Sequence, residues 1–110
     1  MIGVEVRDFM LKIELPRSLF TNSMRRRILA RKSWRYHYIH IFDSVFIEIP
    51  LKRYIARGEP FENVISKIFK YLGLKVDKRD TIWGNSREQY NFYLYCAALQ
   101  RRKRKRLLYL

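Results

Sequence analysis

A chain of 110 residues with 24 Lys and Arg against 10 Asp and Glu, a formal charge of +14, has room for one modest core and excludes two independent ones. With 48% hydrophobic and 15% aromatic residues it is expected to fold, and its single cysteine, Cys96, excludes an intrachain disulfide or a cysteine-cluster zinc site. So much positive charge repels itself in a compact state, and an anionic partner relieves that repulsion.

The chain begins Met-Ile-Gly-Val-Glu-Val-Arg-Asp, with acids where a signal peptide needs an apolar core, which predicts a cytoplasmic (or nuclear) protein. Val4 and Val6, then residues 10–15, read as extended segments closed by Pro16. A helical stretch near 17–31 follows, in which Phe20, Met24 and Ile28 recur every four residues as a buried stripe. Arg25, Arg26 and Arg27 fall mostly on its other side.

Residues 33–49 have the alternation of a hairpin. A two-residue turn at Asp43-Ser44 sets Phe42 opposite Val45, His40 opposite Ile47 and Tyr38 opposite Ile49, and gathers the apolar groups on one face. Arg35 and His37 are then exposed, while Tyr36 and Tyr38 belong to the core. A short helix over 50–57 with Gly58 at its turn precedes the clearest element, a helix over 60–72. There Phe61, Val64, Ile65, Ile68, Phe69 and Leu72 make the apolar stripe, Pro60 suits the first turn, and Gly73 supplies a left-handed stop. Beyond it, residues 74–76 start a strand, Gly84-Asn85 suits a hairpin turn, and the aromatic run 90–96 reads as the return strand. The competing reading is a helix to about residue 102, opened by the capping-box pattern Ser86-Arg-Glu-Gln89.

These elements predict a small single α+β domain, with two to three helices on a mixed or antiparallel sheet, over residues 1–100. A basic tail with an apolar end, Leu107-Leu108-Tyr109-Leu110, occupies 101–110. The ferredoxin-like ordering strand-helix-strand-strand-helix-strand accounts for more of the chain than a winged helix-turn-helix over 50–85, where Gly58 and Val64 fit that motif's spacing and Tyr54 does not.

Catalytic motifs are thin. His37 and His40, three apart on a strand, point to opposite faces and cannot chelate one metal. Asp43, Glu48 and Lys52 resemble a metal-dependent nuclease's acid, acid and lysine, but Glu48 and Lys52 stand four apart with Pro50 between them. Asp77 and Asp80 sit among Lys78 and Arg79, their simplest partners. No glycine-rich phosphate loop or nucleophile elbow is present, so neither metal, cofactor nor small-molecule substrate is expected.

Charge placement is more informative. No acid stands between Glu14 and Asp43, a gap that holds Arg17, Arg25, Arg26, Arg27, Arg31, Lys32 and Arg35. A second run is Arg101, Arg102, Lys103, Arg104, Lys105 and Arg106. One such run is usually a solvated face; two without interspersed acids favour a binding surface. Trp34, at the strand end, is the residue best placed for base stacking. The expectation is non-enzymatic binding of DNA or RNA dominated by phosphate contacts, ahead of a small nuclease and of a structural protein docked on a nucleoprotein or viral assembly. Self-association through the apolar end or the 90–96 segment is a further expectation, and a membrane surface ranks below nucleic acid. The scarcity of Gln and Thr beside abundant Arg, Lys, Ile and Tyr fits a thermophile's usage.

Overall fold

Alternate residues of Gly3–Arg7 (β1) and Met10–Pro16 (β2) are buried, the period of strands with one covered face. The computed structural model describes residues 2–75 and 84–108, with side chains through 103. Asp8 and Phe9 join β1 to β2 with positive φ at both positions, 52° and 63°, as a tight hairpin needs to match strand twist. Phe9 is bulky for that conformation; its ring stacks on Tyr93 at 4.3 Å, and its carbonyl accepts from Leu51 N at 2.9 Å.

The expected helix near 17–31 divides. Arg17–Leu19 is a single 3₁₀ turn, and the α-helix α1 spans Asn22–Leu29. Thr21 is the reason for the restart: it is extended, and its hydroxyl accepts from Met24 N at 3.2 Å. Met24 and Ile28 are buried and Phe20 packs against the core, so the stripe forms although the helix is shorter.

Arg35–Ile39 (β3) and Ser44–Pro50 (β4) complete an antiparallel sheet of four strands in the order β1-β2-β4-β3. The β3–β4 register differs from the expected one. Tyr38 pairs with Val45 and Tyr36 with Ile47, a slip of four residues. Because four is even, Tyr36 and Tyr38 keep the core face. His40 and Phe42, expected in the sheet, leave it for a 3₁₀ turn, His40–Phe42, and both are exposed. Asp43 closes that turn at φ 47°, held there by the Tyr38 hydroxyl, which donates to its carboxylate at 2.6 Å.

The helices α2 (Lys52–Arg57) and α3 (Phe61–Leu72) form as expected, each closed by a glycine with positive φ, Gly58 at 73° and Gly73 at 76°. After Gly73 the reading fails. Leu74 and Lys75 are not in a strand, and Val76 through Trp83 lie outside the described residues. Residues 90–96 are helical: α4 runs from Ser86 to Leu108, past the change of charge composition near residue 100. Strand propensity lost to tertiary packing. Tyr90 is fully buried, tilts against Phe61 at 5.1 Å and donates to Glu59 O at 2.9 Å. Tyr93, Leu94 and Ala97 continue its face against the core. The Ser86 hydroxyl, also buried, donates to Val4 O at 3.0 Å and accepts from Val6 N at 3.2 Å, which ties the helix start to β1.

Among the described residues the result is an α+β domain with the order ββαββααα, neither ferredoxin-like nor, with α4 in place of a wing, winged-helix. One core joins Val4, Val6, Leu11, Ile13, Leu15, Val45, Ile47 and Ile49 of the sheet to the buried faces of the helices. The other sheet face alternates in charge: Glu5, Lys12, Glu48 and Arg35 stand side by side across the strands. Among the described residues, no helix is long and apolar enough to cross a membrane.

Candidate nucleic-acid interface

The strand neighbours Glu5, Lys12, Glu48 and Arg35 offset one another, and Glu14 and His37 flank Phe46 in the next row. That sheet face is therefore balanced in charge and offers phosphates little. The uncompensated charge collects where α1 lies along edge strand β3. With Met24 and Ile28 buried, Arg25, Arg26 and Arg27 are exposed, and Arg31 and Lys32 continue the row through the connection into β3, whereas Arg35 stands on the balanced sheet face opposite Glu48. Arg17, at the other end of the edge, lies over the Tyr38 ring at 5.2 Å. Among the described residues, none of these cations is in an ion pair; the pairs present are His37–Glu48, Lys67–Glu59 and Arg87–Glu62.

The cations are not equivalent. Arg27 reaches α3, where its guanidinium donates to Tyr71 O near the helix's negative end, while the Tyr71 hydroxyl donates back to Arg27 O at 3.0 Å. This reciprocal clasp fixes α1 against α3. The Arg31 guanidinium lies 4.6 Å from the Tyr71 ring centre and 5.6 Å from that of Trp34. Trp34 meets Tyr71 edge-on at 5.4 Å and is half-buried, so only part of its ring is open to a base. Arg25, Arg26, Lys32 and Arg35 carry no such contacts and project into solvent. Tyr38 holds its proton above the usual tyrosine value because its hydroxyl donates to the Asp43 carboxylate; burial adds to this, and Arg17 opposes it.

The second run begins with an arginine that is also engaged. Arg101 lies across the end of α2, its Nη2 3.4 Å from Ile55 O and its Nη1 3.4 Å from the position a Cβ on Gly58 would take. Arg102 and Lys103 are exposed; the side chains of Arg104, Lys105 and Arg106 lie beyond those described. This run belongs to α4, which packs on β1, α2 and α3, whereas α1 packs on α3 and β3. The two runs thus lie on different elements, and among the described residues the first follows one edge of the domain. Sequence reasoning missed the roles of Tyr71 and Arg17. Arg17 was visible within the acid-free gap, but nothing in the spacing announces that Tyr71 would meet Arg27 and Arg31.

The residues of a nuclease reading do not converge. Asp43 precedes β4 and Lys52 follows it, so a strand of seven residues, about 23 Å, separates them. Glu48 faces His37 at 3.8 Å, Asp43 is engaged by Tyr38, and Asp77 and Asp80 lie outside the described residues. Among the described residues no group of three or more His, Cys, Asp or Glu could hold a metal ion. No protein-family model, curated protein or solved structure matches this chain.

Proposed function

We propose that this protein binds nucleic acid without catalysis, through phosphate contacts along the α1–β3 edge, with Arg102 and Lys103 of α4 contributing a second set. One observation carries the reading: Arg17, Arg25, Arg26, Arg31 and Lys32 share an edge and, among the described residues, enter no ion pair, in a chain of charge +14. Flexible cations that neutralise nothing within the protein are suited to neutralise phosphates, and release of the displaced counterions drives such binding. The rings of Tyr38, Trp34 and Tyr71 beneath Arg17 and Arg31 hold those guanidinium groups outward and reduce the entropy lost on binding. A cytoplasmic or nuclear location, where nucleic acid is found, belongs to the same proposal.

The test is a mobility-shift series with duplex DNA, single-stranded DNA and structured RNA at two salt concentrations, repeated with magnesium or manganese. Retarded, intact, salt-sensitive complexes support the reading. Cleavage that disappears in Asp43→Ala or Asp77→Ala favours a nuclease. Failure to bind any of the three favours the structural role on a larger assembly, for which α4 supplies an exposed stripe of Phe92, Tyr95 and Leu99.

A further inference from the structure

The two most exposed large apolar side chains of the described residues are neighbours: Ile41 is 88% exposed and Phe42 67%. Both stand on the 3₁₀ turn between β3 and β4, at the end of the cationic edge. Their exposure does not come from a loose loop. Asp43 N donates to His40 O at 3.2 Å, Ser44 Oγ to Phe42 O at 3.1 Å, and Tyr38 Oη to Asp43 at 2.6 Å. Arg17 N donates to Asp43 O at 3.0 Å and fastens the turn Arg17–Leu19, with half-exposed Leu19, beside it. Asp43, the acid in this turn, is occupied by Tyr38, while Arg17 stands beside the tip.

We propose that this turn is an apolar wedge that enters a base step of duplex DNA from the minor groove while the α1–β3 edge holds the adjoining phosphates. The proposal rests on the phosphate reading of that edge. Inserted Phe and Ile side chains part a base step and kink the duplex, and flanking cations hold the backbone on either side. Geometry favours this occupant over a lipid surface. The cations do not ring the tip in a plane, as a flat anionic surface would require. Arg17 stands at the tip, and Arg25, Arg26, Arg31 and Lys32 follow along α1 and the connection beside β3, whose five residues span about 17 Å, a row suited to one strand's phosphates. The tip sets its two exposed apolar side chains on adjacent residues of a single three-residue turn, a small apolar element of the kind that enters a base step from the minor groove. A duplex of RNA presents a wide, shallow minor groove that such a tip fits poorly.

The experiment uses the full chain and a duplex DNA with 2-aminopurine at a central TA step, a step that unstacks easily. Binding of the wild type is expected to raise the probe's fluorescence severalfold. Ile41→Ser with Phe42→Ser should abolish the rise while leaving the salt dependence of binding unchanged. Since these side chains are exposed, the variant should keep its circular dichroism; if it does not, Ile41→Ser alone should still reduce the rise. A wild type that binds with steep salt dependence but no fluorescence change overturns the wedge and leaves the phosphate reading standing. So does a double variant with an undiminished rise. Absence of salt-dependent DNA binding by the wild type overturns both. If phosphatidylserine vesicles capture the wild type and not the double variant while the DNA signal is equal in the two, the tip serves a membrane and the wedge is wrong.

Discussion

Three successive arginines on α1 make a controlled comparison, because Arg26 and Arg27 share a helix and a charge but not a contact. Arg27 donates to Tyr71 O at the end of α3, whereas Arg26 has no side-chain partner among the described residues. Arg27→Ala removes one hydrogen bond from a charged donor. Both groups are exposed, so water can replace the lost donor, and the reverse bond from Tyr71 Oη to Arg27 O survives in the variant. The loss should be about 1 kcal/mol, or about 4–8 °C in melting temperature for a domain of this size. Arg26→Ala should melt with the wild type or slightly above it, since alanine is the better helix former. The order should reverse in binding. Arg26→Ala should lessen the slope of log K against log salt on duplex DNA by about 0.9, and Arg27→Ala by less than half of that. Thermal melts followed by circular dichroism, and fluorescence anisotropy titrations over a salt series, give both quantities. If Arg27→Ala melts like the wild type and lessens the slope by the full amount, Arg27 is a phosphate ligand and the clasp is not structural.

Other parts of the structure make independent commitments. Ile68→Ala in α3, at a fully buried site, should cost about 2–5 kcal/mol in denaturant unfolding; a loss near zero would mean that α3 does not face the core. Ser86→Ala leaves the Val4 carbonyl and Val6 amide without that hydroxyl in a buried place and should cost about 1–3 kcal/mol, with faster amide exchange along β1. Burial first, then the charge of Glu59 and the neighbouring Tyr54, pushes Tyr90 from 10.0 to about 12. Its phenol ionises near pH 10 when unfolded and only near 12 when folded, so the unfolded state holds fewer protons in that window. Stability contributed by Tyr90 is therefore complete below pH 10 and declines as pH rises through 12. Tyr90→Phe should be the less stable protein at pH 8, having lost the bond to Glu59 O, and should show a shallower decline between pH 10 and 12.

Much of this fold was legible because its signals were local. The stripe of α3, the Gly58 and Gly73 stops and the alternation of β1, β2 and β4 each follow from spacing within one element. What failed depended on contacts between elements. Residues 90–96 have strand-forming aromatics, yet Tyr90 is wanted between Phe61 and Glu59, and Ser86 binds β1, so the segment is helical. The β3–β4 register goes with the 3₁₀ turn at His40–Phe42 and the bond from Tyr38 to Asp43, neither of which alternation reveals. The cationic edge was read from the acid-free stretch after Glu14. The division of labour within it, with Arg27 clasped and Arg31 laid over rings, required Tyr71, which is 44 residues beyond Arg27.

Phosphate contact along the α1–β3 edge is the central claim, and counterion release measures it most directly. For the wild type on duplex DNA, log K should fall with log salt at a slope of about −4.5 or steeper, as five edge cations at about 0.9 each require. Arg25→Ala with Arg26→Ala should lessen it by about 1.8 and weaken unrelated sequences alike, since phosphates carry no base identity. A folded double variant whose slope equals the wild type's, or a wild type whose affinity ignores salt, would contradict the account.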